Sequence, residues 1–138
     1  MSADKIFFDT NIILYLLSAD KGKADRAEEL LVTGGLISVQ VLNEFSSVAL
    51  RKLKMTWPEI REVLSQIRAV CSVEAMTVAT HDRAVVIAER YGLSIYDSLI
   101  LGTALLAGCK TLYSEDMQHG QVIEQQLVIF NPFLPLAA

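Results

Sequence analysis

The chain has 138 residues, 52% of them apolar, and a formal net charge of −4. That length suits one domain burying roughly two-thirds of its unfolded surface, and the acidic balance lacks the basic patch by which nucleic-acid binders usually advertise themselves. Two isolated cysteines and two histidines exclude a closed zinc site of the usual spacing. Cys71 and Cys109 read as buried free thiols of a reducing compartment. No signal-peptide pattern precedes the first strand-like residues, and no apolar run reaches membrane-spanning length. The expectation is a cytoplasmic protein with no membrane partner, forming one domain over residues 1–138.

Lys5 to Phe8 reads as a strand. Asp9, Thr10 and Asn11 follow it, an odd insertion of three polar residues before the apolar run that starts at Ile12. Ala24 to Val32 has helical spacing. Gly34 and Gly35 mark a turn, and Leu36 to Val39 reads as the second strand. Gln40 to Lys54 is a helix with Val41, Phe45 and Val48 on one stripe. A further helix runs from Pro58 to Val70, with Thr56 and Glu59 at capping-box spacing. Val73 to Val78 is a weak strand candidate. Helices follow at Thr80 to Tyr91, closed by Gly92, and at Ile95 to Ala107, closed by Gly108. Thr111 to Tyr113 and Leu127 to Phe130 complete the strands.

Strands alternating with helices predict an α/β fold. We expect a mainly parallel sheet of four to five strands flanked by helices on both faces. Ligands in such sheets bind at the carboxyl ends of the strands. Four acids fall near that edge. Asp9 follows the first strand, and it, Thr10 or Asn11 is also a natural helix cap. Glu44 lies beside the apolar stripe of its helix, and a boundary carboxylate reaching solvent explains it equally well. Asp97 sits in a helix that is apolar almost all round, where a carboxylate needs a donor or a cation; Ser94 three residues earlier offers a capping alternative. Asp116 follows the strand TLYS in the segment SEDMQHG, next to Glu115, and a solvated loop is the plainer reading there. Clustered carboxylates repel each other, and a hard divalent cation with oxygen ligands, Mg²⁺ or Mn²⁺, relieves that repulsion.

Arg51, Lys52 and Lys54 gather at the end of one helix. They suit a phosphate backbone, and equally the negative end of the helix dipole. His119 is a lone loop histidine, and Trp57 is expected to pack on its helix.

The segments FDTN (8–11), SVQVLNEF (38–45), SIYDSLILGTALLAGC (94–109) and LYSEDMQHGQVI (112–123) together resemble the PIN domain, more narrowly the VapC-type toxins of bacterial toxin–antitoxin pairs. The resemblance extends through NPF at 131–133. It implies a metal-dependent endoribonuclease in which Asp9, Glu44, Asp97 and Asp116 hold one or two Mg²⁺ or Mn²⁺ ions, with Thr10, Asn11 and Ser114 in support. It implies an RNA substrate, a homodimer or higher oligomer, and inactivation by a cognate antitoxin protein. The competing reading is a Mg²⁺-binding regulatory domain of receiver type, without nuclease activity. Lys110 precedes its strand rather than following it, which counts against that reading. The sequence DTN lacks the second Asp of a DxDxT phosphatase, and no GxxxxGK[ST] loop occurs.

Overall fold

The computed structural model describes residues 5–134. Its centre is a six-stranded sheet in the order β3–β2–β1–β4–β6–β5, formed by β1 (Ile6–Phe8), β2 (Gly35–Ser38), β3 (Cys71–Glu74), β4 (Thr111–Tyr113), β5 (Val122–Ile123) and β6 (Leu127–Phe130). All pairings are parallel except β5 with β6. The helices are α1 (Thr10–Leu14), continued by a 3-10 turn at Tyr15–Leu17, α2 (Lys21–Val32), α3 (Val39–Arg51), α4 (Trp57–Val70), α5 (Val78–Tyr91) and α6 (Ile95–Leu106).

The chain walks outward from β1 to β2 to β3, then returns across the sheet to β4. Right-handed crossovers travelling in opposite directions lie on opposite faces, which gives the sheet its two helical layers. The strand order reverses between β1 and β4. A crevice opens at such a reversal, at the carboxyl ends of the two strands. Phe7, Phe8, Ile37, Leu112 and Ile129 are fully buried along the sheet, with Val41, Phe45, Ile100 and Leu101 packing from the helices.

The expected fold class holds, with two more strands than the lower expected count. The element missed is β5, two residues that exist as a strand only through pairing with Leu127 and Val128. Other boundaries shift for local reasons. α3 begins at Val39 because Ser38 Oγ accepts the Val41 N–H at 3.2 Å, which ends β2 one residue early. It stops at Arg51, and Lys54 adopts φ +55°. Thr77 caps α5 in a reciprocal box with Thr80, so that helix starts at Val78. The third strand begins at Cys71, where pairing with Gly35 takes over directly from α4. The Thr56–Glu59 capping box forms as the spacing predicts.

Gly35 is a strand residue rather than part of the turn. A Cβ there would stand 2.4 Å from Phe8 Cε2 and 2.9 Å from the Ile6 carbonyl oxygen. Gly35→Ala is therefore expected to lower stability by about 1–3 kcal/mol, through overpacking of the β1–β2 contact. Urea unfolding checks this, and an unchanged midpoint would mean that Phe8 has free room to swing away.

Candidate active site

β1 ends at Phe8, and the next residue turns directly into α1. Asp9 is both the helix cap and a floor residue of the crevice, so the two readings of it are compatible. Its N–H donates to the Tyr113 carbonyl at 3.0 Å, which ties it to the end of β4. Its Oδ1 accepts the Thr10 N–H at 2.7 Å. Its Oδ2 accepts from Ser114 Oγ at 2.7 Å and from Asn11 Nδ2 at 3.3 Å. The side chain is only 4% exposed. Burial pushes the Asp9 carboxyl up to about 7, against the bonds from Ser114 and Thr10; repulsion from Asp97 and Glu44 adds to the rise.

Glu44 reaches the same place from α3. Thr10 Oγ1 donates to its Oε2 at 2.6 Å, and Gln40 Nε2 donates to its Oε1 at 3.0 Å. Each carboxylate oxygen thus has a fixed donor, and the two donors come from different elements. Asp97 stands in the first turn of α6, half-buried. Its N–H donates to Ser94 Oγ at 3.1 Å, but the return bond of a capping box is absent among the described residues, so its carboxylate is not consumed by the cap. Burial raises the Asp97 carboxyl, and Glu44 and Asp116 raise it further. Asp116 is exposed on the loop after β4.

These four acids line one open cleft of about 250 Å³, together with Thr10 and Asn11. Ser114 lies beneath, fully buried, and its Oγ also accepts the Met117 N–H at 3.2 Å. The structure therefore brings together Asp9, Glu44, Asp97 and Asp116, and leaves Glu115 outside the cleft lining.

The basic cluster divides. Arg51 lines the cleft, and its Nε donates to Ser47 Oγ at 3.0 Å. Lys52 and Lys54 are exposed residues outside the cleft lining, because α3 ends at Arg51 and the chain turns away. His119 does not reach the cleft either. Its Nδ1 accepts the Asn131 N–H at 2.9 Å, and its ring stacks edge-on against Phe130. Trp57 is 53% exposed at the start of α4 rather than packed away. Gln40 went unremarked in the sequence. Its only signal there is its position four residues before Glu44, one helical turn away.

The donor set is all oxygen, which suits a hard divalent cation. Among the described residues, no three His, Cys, Asp or Glu side chains close into a ready-made cage. An open arrangement fits Mg²⁺ in particular. That ion keeps several of its waters and takes one or two carboxylates rather than a full protein shell.

A parallel sheet with a carboxylate-lined cleft at its reversal point defines a class of α/β domain. The family model for the PIN domain matches residues 6–123, and the chain belongs to that family. Several solved structures share the fold. A toxin–antitoxin complex from Klebsiella pneumoniae is 19% identical with a TM-score of 0.71, covering 94% of this chain and 98% of its own. A DNA-bound VapBC from Salmonella typhimurium is 20% identical with a TM-score of 0.70, covering 94% and 99%. VapC20 of Mycobacterium tuberculosis, described as a sarcin–ricin-loop-cleaving toxin, is 22% identical with a TM-score of 0.67, covering 81% and 90%. A comparison with curated protein sequences returns no match.

Proposed function

We propose that the chain is a divalent-cation-dependent endoribonuclease and the toxin of a toxin–antitoxin pair. The observation that carries this reading is the convergence of Asp9, Glu44, Asp97 and Asp116 on one cleft that also holds Arg51. Family membership supports it, as do the structural neighbours described as toxins or toxin–antitoxin complexes.

Asp9, Asp97 and Asp116 are the residues proposed to hold Mg²⁺ or Mn²⁺, with Glu44 as a further ligand or as the group that orients the attacking water. A cation bound there supplies Lewis acidity toward water and phosphate. The protein's own residues do the rest. Ser114, Asn11 and the Thr10 N–H fix the Asp9 carboxylate by three hydrogen bonds. Thr10 and Gln40 clamp the Glu44 side chain, one donor on each oxygen, and so fix its direction. Arg51 offers a planar guanidinium to a backbone phosphate at the mouth of the cleft. Among the described residues that line the cleft, Arg51 is the one cationic side chain, and it stands beside the carboxylates.

The receiver-type alternative needs an accessible acceptor aspartate and a lysine beside the phosphoryl group. Asp9 is buried and triply hydrogen-bonded, and Lys110 precedes β4, at the opposite end of the strand from Ser114.

In a cell the proposed inhibitor is a small antitoxin protein that covers the cleft, and the proposed active form is a homodimer or higher oligomer. The test of the reading is RNA cleavage by the purified chain, free of any partner, with Mg²⁺, with Mn²⁺ and with EDTA. Cutting with either cation and none in EDTA supports it. Equal cutting in EDTA refutes it.

The Thr10 hydroxyl gives a finer expectation. Thr10→Val keeps the shape and the backbone cap but removes the donor to Glu44 Oε2. Losing an outer partner of this kind typically costs ten- to a hundred-fold in activity. We expect about that loss in kcat, with the melting temperature little changed; wild-type kcat would mean that Gln40 alone holds Glu44.

A further inference from the structure

Glu115 is the acid next to Asp116, yet it faces away from the cleft. Tyr15 Oη donates a short hydrogen bond to Glu115 Oε1, and Lys23 Nζ donates to the same oxygen at 3.3 Å. Lys23 also lies over the Tyr15 ring, 4.5 Å from its centroid. Tyr15 in turn packs edge-on against Phe133, with ring centroids 4.8 Å apart. The backbone of the same residue is held too, because the Glu115 N–H donates to Asn11 Oδ1 at 3.2 Å. Four segments meet here: the 3-10 turn after α1, the start of α2, the loop after β4, and the C-terminal segment at Phe133. Tyr15 and Lys23 both bond to Glu115, on the loop that carries Asp116.

We propose that Tyr15, Lys23 and Glu115 form a clasp that positions the 114–117 loop, so that Asp116 faces the cleft while Glu115 is a positioning residue and not a cation ligand. The loop is short and its backbone has few regular partners. Ser114 N–H bonds the Phe130 carbonyl, and Met117 N–H bonds Ser114 Oγ. Between those anchors, Glu115 is the residue fixed by both its backbone and its side chain, and Asp116 follows it directly. Without the clasp, an exposed aspartate on such a loop samples many rotamers, and the ordering cost then falls on cation binding. The inference rests on the proposed function in taking Asp116 as a cleft ligand.

The test uses the full chain with Tyr15→Phe, Glu115→Ala, Glu115→Gln, the double variant Tyr15→Phe/Glu115→Ala, and Asp116→Asn. Two readouts are taken: amide hydrogen exchange at 115–117 in chelator, and Mn²⁺ affinity by calorimetry. Tyr15 carries no carboxylate, so its variant separates a clasp from a ligand. The expected result is a roughly tenfold faster exchange and a several-fold weaker Mn²⁺ affinity in both Tyr15→Phe and Glu115→Ala. The double variant should be no worse than Glu115→Ala, and Glu115→Gln, which still accepts from Tyr15, should be partly restored. Unchanged exchange in Glu115→Ala overturns the clasp. So does loss of Mn²⁺ affinity in both Glu115 variants with Tyr15→Phe at wild-type affinity, because Glu115 is then itself a ligand. If Asp116→Asn binds Mn²⁺ like wild type, the reading of Asp116 as a ligand fails. The positioning of that ligand then falls with it, while faster exchange in the Tyr15 and Glu115 variants would still establish that the three residues hold the loop.

Discussion

The Asp9→Asn protein is expected to lose RNA cleavage by about a hundred- to a thousand-fold and, in chelator at pH 8, to melt at a higher temperature than wild type. Both effects come from one cause. Asp9 is buried, and its carboxyl titrates near 7 in the fold against an ordinary value of 3.8. The folded chain therefore holds this proton more tightly than the unfolded chain. Between about pH 4 and pH 7 the native state binds more protons, so stability falls as pH rises through that window. Above it, the fold carries a buried negative charge at a cost on the order of a few kcal/mol. Asn has nearly the same shape. Its oxygen can still accept the Thr10 N–H, and its amide can donate to Ser114 Oγ; the longer bond from Asn11 Nδ2 is given up, and there is no charge to bury. The wild-type melting temperature in chelator should thus drop between pH 5 and pH 8, and Asp9→Asn should flatten that drop. Coincident melting curves for the two proteins at pH 8 would show that the charge on Asp9 costs nothing, and the electrostatic account of the cleft would fail.

The second large effect is the mirror of the first. Mn²⁺ or Mg²⁺ should raise the melting temperature of wild type at pH 8, because cation binding to the folded chain alone adds stability by mass action. At a hundred times its Kd, a ligand contributes about 2.7 kcal/mol. For a chain of this size that is on the order of ten degrees. The rise should be much smaller at pH 5, where Asp9 and Asp97 both hold their protons more readily than ordinary carboxyls. It should be largely absent in Asp9→Asn at either pH. Scanning calorimetry over a cation titration decides the matter. An equal rise in Asp9→Asn would move the cation to some other part of the surface.

How far the sequence carried this picture differs from residue to residue. Asp9 and Asp116 were legible because each comes just after a strand, and Glu44 because it lies early in the helix that follows one; the carboxyl edge of a parallel sheet is where such residues collect. Asp97 was legible for a different reason, as the one charge in a helix whose sequence is apolar almost all round. What stayed hidden was whatever depends on contacts between distant segments. The Thr10–Glu44 bond spans 34 residues, and the Tyr15–Glu115 bond spans 100. Neither leaves a local pattern. β5 is two residues long and has no period to detect, and β3 starts where pairing with β2 begins rather than where apolar residues begin. Arg51 and Lys52 are neighbours of the same charge, yet only Arg51 lines the cleft, because the last turn of α3 presents one and not the other. Trp57 was expected to pack and stands exposed, since Thr56 and Pro58 set the start of α4 without calling on its side chain.

The central claim is that four carboxylates from separate elements act as one cation-dependent centre for cutting RNA. Its most direct test is the cleavage rate in Mn²⁺ of wild type and of Asp9→Asn, Glu44→Gln, Asp97→Asn and Asp116→Asn, each shown by circular dichroism to be folded. The account predicts cutting by wild type, abolished by EDTA, and a drop of at least about a hundred-fold in every variant. Folded variants that cut at the wild-type rate, or wild-type cutting that survives EDTA, would contradict it.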